Sequence, residues 1–137
     1  MDRTHGRNLA LTLVAMAALC GCYLEEGPYE RHHGTATLAW SIDGGREPAA
    51  CAAHNATFVR LFIRYEDDGG FEDVVSCTRF ASRYVLHRGW YTATLELLDA
   101  AQAPVSVPRD AGTFFVAQDR EAFVTVDLTP AFDGGVR

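Results

Sequence analysis

The sequence predicts an all-β domain, an antiparallel two-sheet sandwich of about seven to eight strands that follows a signal peptide and a flexible tether. Short segments alternate apolar and polar residues with a period of two, which is the pattern of half-buried strands. About seven or eight such segments follow one another at a spacing of about 8–12 residues, which is typical of sandwiches. No stretch combines a convincing helical period with capping residues.

The first 21 residues have the organisation of a secretory leader. Arg3 and Arg7 supply positive charge, and an apolar run of eleven residues follows at positions 9–19. As a helix this run would extend about 16 Å, roughly half of the hydrocarbon core of a bilayer, and is too short to span it. The sequence therefore predicts a signal peptide at residues 1–21 that is removed.

The leader ends in a tetrad that resembles the lipobox of bacterial lipoproteins. It reads Leu19-Cys20-Gly21-Cys22, whereas cleavage before Cys20 would place the bulky Leu19 next to the cut. The resemblance implies that Cys22 is acylated and anchors the mature chain in the membrane. Tyr23 follows in place of the aspartate that retains lipoproteins in the inner membrane. This implies sorting to the outer membrane of a Gram-negative cell envelope, facing the periplasm or the cell surface.

The charged residues exclude several kinds of chemistry. Arginine supplies all 12 basic residues against 18 acidic ones, so the net charge is −6, and it becomes −7 after the leader is removed. An acidic chain lacks the positively charged surface through which proteins generally bind nucleic acid. The absence of lysine excludes a P-loop, a Schiff-base lysine and a Ser-x-x-Lys nucleophile pair.

The mature chain divides into a linker, one domain and a tail. Residues 22–33 are interpreted as the lipidated cysteine and a linker, because they show no sustained period and contain Gly27-Pro28. His32 and His33 lie in this segment without the fixed geometry of a metal site. The sandwich is predicted over residues 34–130, and residues 131–137 form a C-terminal tail.

The strands are predicted from alternation and their limits from turn residues. Two strong turns contain Asp43-Gly44-Gly45 and Asp67-Asp68-Gly69-Gly70. Residues 47–55 are interpreted as a loop with one helical turn. Residues 99–110 are interpreted as a loop with room for a short edge strand, because they contain Pro104 and Pro108. The predicted strands are 35–43, 57–65, 71–78, 80–86, 90–98, 114–116 and 122–128.

Two cysteines remain once Cys22 is acylated. Cys51 and Cys77 form an even pair in an exported domain, and such a pair predicts a disulfide that closes a loop of roughly 26 residues. The alternative is a catalytic thiol, which would require an unpaired cysteine beside a histidine.

Other candidate sites are weighed against simpler interpretations. Asp67, Asp68, Glu72 and Asp73 could bind Ca²⁺ through carboxylate oxygens, but they do not match a calcium-loop pattern and are interpreted as a solvated turn. No serine lies in a nucleophile elbow. We therefore expect no catalytic residues, no cofactor and no resident metal. The serines considered are Ser41, Ser76, Ser82 and Ser106.

The segment at residues 86–95 carries a second resemblance. A leucine at position 86, a turn at Gly89 and a strand that opens with Tyr91 are similar to the penultimate-strand entry of fibronectin type III and carboxypeptidase regulatory-like, or transthyretin-like, domains. In immunoglobulin-like sandwiches a tyrosine at this corner can hydrogen-bond back to the backbone. Together with residues 38–45 and 97–99, the chain resembles uncharacterised lipoproteins of myxobacterium-like genomes.

Several aromatic residues are predicted on the polar sides of strands. Phe58 and Phe62 share a face with Arg60 and Arg64, and Phe123 lies opposite the apolar set of its own strand. Either loops cover part of these faces, which we favour, or an exposed apolar patch binds a partner.

The sequence predicts a non-enzymatic, lipid-anchored module of the cell envelope with a structural or protein-interaction role. Its expected partners are the membrane, through Cys22, and other envelope proteins. A carbohydrate- or metal-binding module is the alternative, with Trp90 as a candidate for lining a groove. A small hydrolase is a third hypothesis.

Overall fold

The computed structural model describes residues 32–66 and 69–129 of the chain. Over these residues the chain forms seven strands and two short helical segments. The strands are β1 (His33–Ile42), β2 (Phe58–Tyr65), β3 (Gly70–Ser76), β4 (Ala81–His87), β5 (Gly89–Leu98), β6 (Arg109–Val116) and β7 (Glu121–Leu128). The helical segments are α1 (Pro48–Ala53) and a 3₁₀ turn at Cys77–Arg79.

The strands form the predicted two-layer sandwich. One sheet has three strands in the order β4-β1-β7, and the other has four in the order β3-β2-β5-β6. The pairings are antiparallel except that of β1 with β7, which is parallel and aligns Thr35 with Glu121. The predicted fold class is confirmed, with one parallel pair inside it.

The parallel pair joins the first and last strands of the domain. Parallel neighbours need a long connection, and here all the intervening strands provide it. A period of two in the sequence is the same for parallel and antiparallel strands, so alternation could not reveal this pairing.

The core lies between the two sheets and consists of the inward residues of the alternating segments. Its largest fully buried side chains are Trp40 and Tyr91. The indole Nε1 of Trp40 donates a hydrogen bond of 3.1 Å to the carbonyl oxygen of Cys77, so the polar atom of this buried ring is satisfied. Alternation correctly predicted the inward sets of β1, β2, β5 and β7, most of which are fully buried: Ala36, Leu38, Trp40, Ile42, Val59, Leu61, Ile63, Tyr91, Ala93, Leu95, Leu97, Val126 and Leu128.

A disulfide joins α1 to the 3₁₀ turn. Cys51 and Cys77 are both buried and their Cα atoms are 6.1 Å apart, so the predicted pair is present. The helix α1 has six residues, more than the one turn expected. Pro48 stands at its start, where the missing N–H would have no helical partner.

The strand β6 begins five residues before the predicted strand at 114–116. The register of β5 against β6 shifts between Thr92 and Thr94, and Gly112 adopts φ +79° at this irregularity. A β-bulge interrupts the alternation of side chains, which concealed the first half of the strand. The preceding loop therefore ends at residue 108 and not at the predicted 110, and in place of an edge strand it forms a bridge between Leu98 and Pro104.

Some predictions concern residues outside the described ranges. They are the signal peptide at 1–21, Cys22 and the linker as far as residue 31, Asp67, Asp68 and the C-terminal tail at 131–137. Among the described residues, no helix is both long and apolar enough to cross a membrane.

Asp127 stabilises the turn that closes β1. Its Oδ1 accepts hydrogen bonds from the Ser41 hydroxyl at 2.6 Å and from the backbone N–H of Gly44 at 2.9 Å. These bonds lower the pKa of the Asp127 carboxyl. The folded chain therefore holds this proton less tightly than the unfolded chain does. The resulting stabilisation is complete above the unfolded pKa of about 3.9 and is lost as the pH falls through the folded value.

We expect Asp127→Asn to lower the free energy of unfolding at pH 7 by about 0.5 kcal/mol, because the group is exposed and its bonds compete with water. The difference from the natural chain should shrink as the pH falls below about 4. Urea unfolding at a series of pH values measures both effects. Ser41→Ala, which removes one donor, should weaken the same pH dependence, and equal differences at pH 3 and pH 7 would contradict the assignment.

Candidate functional site

The candidate site is the outer face of the four-stranded sheet, the side that points away from the core. On β2 and β5 the residues that alternate with the buried ones form this face, and β3 and β6 extend it on either side. Its main side chains are Phe58, Arg60, Phe62, Arg64, Glu72, Trp90, Thr92, Thr94, Glu96, Leu98 and Phe115.

A loop covers one end of the outer face. Leu98 lies on this face yet is fully buried, and it forms a bridge with Pro104 of the loop that precedes β6. The loop is held in place by the N–H of Val105, which donates to the carbonyl of Leu97, and by the buried hydroxyl of Ser106, which accepts the N–H of Leu97 at 2.8 Å. The favoured prediction of coverage by loops therefore holds at this end, beside Phe58, and not at Phe123, which is 64% exposed on the other sheet.

Charged groups occupy the middle of the outer face. The guanidinium of Arg60 donates a hydrogen bond of 2.6 Å to Glu96, and its Nε lies 3.1 Å from Glu72. That Nε is buried and, within the described residues, the Glu72 oxygen is not aligned to accept its hydrogen. Beside this group is a shallow hollow of about 300 Å³ that Pro108 and Phe62 also line. Arg60 is therefore held between two carboxylates with one donor left without a partner.

A larger hollow lies beyond Phe62. It has a volume of about 550 Å³ and is lined by two aromatic side chains, a threonine, two charged groups and two glycines. The guanidinium carbon of Arg64 lies 5.2 Å from the centre of the Phe62 ring, which is a cation–π geometry. Gly69 and Gly70 at the start of β3 also line the hollow. We call this hollow the Phe62 groove, lined by Phe62, Arg64, Tyr65, Glu66, Gly69, Gly70 and Thr92.

Two aromatic rings are uncovered at the other end of the face. Trp90 and Phe115 are cross-strand neighbours whose ring centres are 5.0 Å apart. Trp90 is 49% exposed and Phe115 is 36% exposed. The guanidinium carbon of Arg88 lies 5.9 Å from the centre of the Phe115 ring. Aromatic rings with an adjacent arginine are the side chains that most often dominate binding interfaces.

A tyrosine corner positions this exposed pair. The hydroxyl of Tyr91 donates a hydrogen bond of 2.7 Å to the carbonyl of His87, as its similarity to immunoglobulin-like sandwiches implied. Burial raises the pKa of Tyr91 because the phenolate would be poorly solvated there. The bond ties β5 to the end of β4. Trp90, the residue before the buried Tyr91, points to the outer face because consecutive strand residues alternate.

The metal candidates inside the described ranges do not converge. Glu72 faces outward beside Arg60, whereas Asp73 faces inward and accepts a hydrogen bond of 2.8 Å from Tyr84. Consecutive strand residues point to opposite faces, so these two carboxylates cannot share an ion. Burial, with the nearby Asp73 carboxylate, raises the pKa of Tyr84 to about 12. The part of the chain that the structure describes contains no group of three metal-ligating side chains.

The serines considered for catalysis lie apart from one another. Ser41 donates to Asp127, Ser76 bonds with Thr78, and Ser106 is used by the loop below Leu98. Ser82 is buried on β4. The absence of enzymatic activity stays a prediction.

Sequence reasoning missed two features of this site. His33 pairs with His87 across β1 and β4, and their rings are 4.2 Å apart, so His33 belongs to the sandwich and not to the linker. The exposure of Phe115 was also missed. Its signal was present, because Phe114 and Phe115 are consecutive strand residues and must point to opposite faces.

Comparisons with known proteins identify no family. No protein-family model matches the chain, and no curated protein matches it. Among solved structures, one similar chain is a DUF3823 family protein from Parabacteroides merdae ATCC 43184. It has 15% sequence identity and a TM-score of 0.43, and the alignment covers 74% of this chain and 48% of that one. The chain thus spans about half the length of that protein.

Proposed function

We propose that the protein is a lipoprotein of a Gram-negative cell envelope, anchored in the outer membrane by acyl chains on Cys22. The tetrad Leu19-Cys20-Gly21-Cys22, placed directly after a short apolar run, is the observation that carries this proposal. A single acyl chain gives only marginal binding to a bilayer. The three chains that the lipoprotein resemblance implies would hold the domain at the membrane permanently.

The sandwich then serves as a non-enzymatic structural or protein-interaction module. The Phe62 groove supports this role, because it places an aromatic ring and Arg64 together in an open hollow. Aromatic residues and arginine are enriched in protein interfaces. Residues of β2 and β5 line the hollow, so a partner segment that entered it would contact both Phe62 and Thr92.

A carbohydrate-binding module is the second candidate. The observation that favours it is the exposed Trp90 beside Phe115, since aromatic rings can stack against sugars. A soluble glycan that changes the fluorescence of Trp90 would favour this candidate over the first.

The anchor is tested by expressing the full chain in a Gram-negative host and measuring the intact mass of the membrane-extracted protein. The natural chain should begin at Cys22 and carry acyl groups. Cys22→Ala should abolish cleavage and acylation, whereas Cys20→Ala is the matched control and should leave both unchanged. A cleaved chain without lipid, or loss of processing in Cys20→Ala alone, would contradict the proposal.

The interaction role is tested in the same cells with a photocrosslinking amino acid. At Thr92 in the Phe62 groove it should give a discrete adduct with an envelope protein. At Thr125, on the outer side of the three-stranded sheet, it should not. Equal adducts at both positions would count against the groove as the binding surface.

A further inference from the structure

The exposed apolar side chains of the sandwich are concentrated at one end. In the described residues the large exposed hydrophobic side chains are Tyr65, Val85, Trp90, Val107, Phe115 and Phe123. Val107, in the loop before β6, lies at the opposite end. Tyr65 is the last residue of β2, Phe115 is the second-last of β6, and Trp90 is the second of β5. These positions meet because β2, β5 and β6 are antiparallel neighbours.

The same end receives the chain from the linker. The carbonyl of His32 accepts the N–H of Arg88, and the carbonyl of His33 accepts the N–H of Asp119 at 3.0 Å. Arg88 immediately precedes β5, and Asp119 lies in the connection from β6 to β7. We call this end, with His32, Arg88 and Asp119 at its rim, the tether end.

The anchor can never be far from the tether end. Cys22 lies ten residues before His32, and ten residues can extend at most about 35 Å. A tether of this length gives the tether end a high effective concentration at the bilayer, so even weak attraction would keep it there.

We propose that the tether end docks on the lipid bilayer, with Trp90, Phe115 and Phe123 in the headgroup layer. This inference rests on the anchor at Cys22 proposed above. Phe123 lies two residues after the start of β7, about 7 Å along the strand. Apolar groups of interfacial segments reach about 5–10 Å into the headgroup layer, so Phe123 is close enough to the end of the domain to enter it.

The distribution of the side chains favours a bilayer over a protein or a glycan. Trp90 and Phe115 lie on the outer side of the four-stranded sheet, whereas Val85 and Phe123 lie on the outer side of the three-stranded sheet. A stacked sugar or a single protein surface would contact one side of the sandwich. A fluid interface surrounds the end and can accept apolar groups from both sides.

The mixed charges at this end indicate that burial of apolar side chains, and not attraction to charged lipid, is the main contribution to docking. Arg88 and Arg120 lie at this end, but so do the acidic residues Glu66 and Asp119, whose backbone N–H groups donate to Trp90 and His33. Trp is also the side chain that most favours the membrane–water interface. Docking should therefore occur on zwitterionic lipid and depend little on salt.

The two tryptophans provide a direct test. Trp40 is fully buried in the core and Trp90 is half exposed. The processed chain, residues 22–137, is coupled through the Cys22 thiol to a maleimide lipid in phosphatidylcholine vesicles, since Cys51 and Cys77 are paired. Brominated lipid should remove most of the Trp90 emission and leave that of Trp40, which is measured alone in Trp90→Phe.

Matched variants locate the contact. Phe115→Ser and Phe123→Ser should each restore part of the quenched emission, and Val107→Ser, at the opposite end, should not. Equal Trp90 emission in vesicles with and without brominated lipid would overturn the docking proposal. A glycan that shifts the Trp90 emission, when brominated lipid does not quench it, would overturn it as well. Because the coupling is chemical, a failure of acylation in cells would overturn the proposed anchor without affecting this measurement.

Discussion

Replacing Trp40 with alanine is expected to lower the free energy of unfolding by about 3–5 kcal/mol. The indole is fully buried between the sheets, so its removal exchanges core contacts for a cavity. It also leaves the carbonyl of Cys77 without the hydrogen bond that it accepts from Nε1. A loss of this size is a large part of the total stability of a small domain. Urea unfolding followed by circular dichroism, with the disulfide intact, measures it.

Two control variants separate the effects that contribute to this loss of stability: the lost side-chain volume, the lost hydrogen bond and the burial of the site. Trp40→Phe keeps an aromatic ring and removes the N–H donor, so we expect a smaller loss of about 1–3 kcal/mol. Trp90→Ala removes the same side chain from the exposed site and should cost about 1 kcal/mol or less. If Trp40→Ala cost as little as Trp90→Ala, the assignment of Trp40 to the core would be wrong.

The second large effect is expected from the disulfide. Cys51→Ala combined with Cys77→Ala should lower the free energy of unfolding by about 3.5 kcal/mol, the chain-entropy value for a closed loop with a sequence separation of 26 residues. The bond connects α1 to the 3₁₀ turn, two segments with few other contacts that lie outside the sheet ladders. Without it, both are tied to the sandwich by packing, a few backbone hydrogen bonds and the bond from the Trp40 indole to the Cys77 carbonyl. Guanidinium unfolding of the natural and double-variant chains measures the difference.

A reductant provides an independent control for the disulfide. It should shift the unfolding midpoint of the natural chain to that of the double variant and leave the double variant unchanged. Thiol labelling of the denatured, non-reduced chain should find neither Cys51 nor Cys77 reactive. A free thiol at either position would reopen the hypothesis of a catalytic cysteine.

The two proposals together describe a domain with a defined orientation. If the tether end lies on the bilayer, the loop that covers Leu98 points away from it. The Phe62 groove then runs along the flank of the domain, from the bilayer-facing end, where Tyr65 and Glu66 line it, towards Phe62. A partner in the envelope would approach from the side and not from the membrane.

Much of the local structure follows from the sequence. The inward faces of β1, β2, β5 and β7 were predicted correctly, because side chains alternate strictly in a strand and one face of each sheet must be buried in the core. The turn after Ile42 was predicted from Asp43-Gly44, whose positive φ values of 49° and 78° are those that aspartate and glycine tolerate. The disulfide followed from the even number of cysteines that remain and from the predicted export of the chain.

The candidate site was predicted only in part. The sequence placed Phe58, Phe62 and Arg64 on one face, but whether a loop covers that face depends on where residues 99–108 fold back. Glu72 and Asp73 are adjacent in the sequence and were grouped as metal candidates. The pleat separates them to opposite sides of β3, where Arg60 and Tyr84 contact them respectively.

The sequence by itself determined most of the strands and the turn after Ile42, because these depend on residues close together in the chain. It predicted the disulfide from the number of cysteines and the anchor from a short motif. The tertiary structure alone decided the parallel pairing of β1 with β7 and the gathering of Trp90, Phe115 and Phe123 at the end where the linker enters. The physical reason is that the alternation of a strand is local, whereas its neighbours depend on long-range packing and loop closure between distant segments.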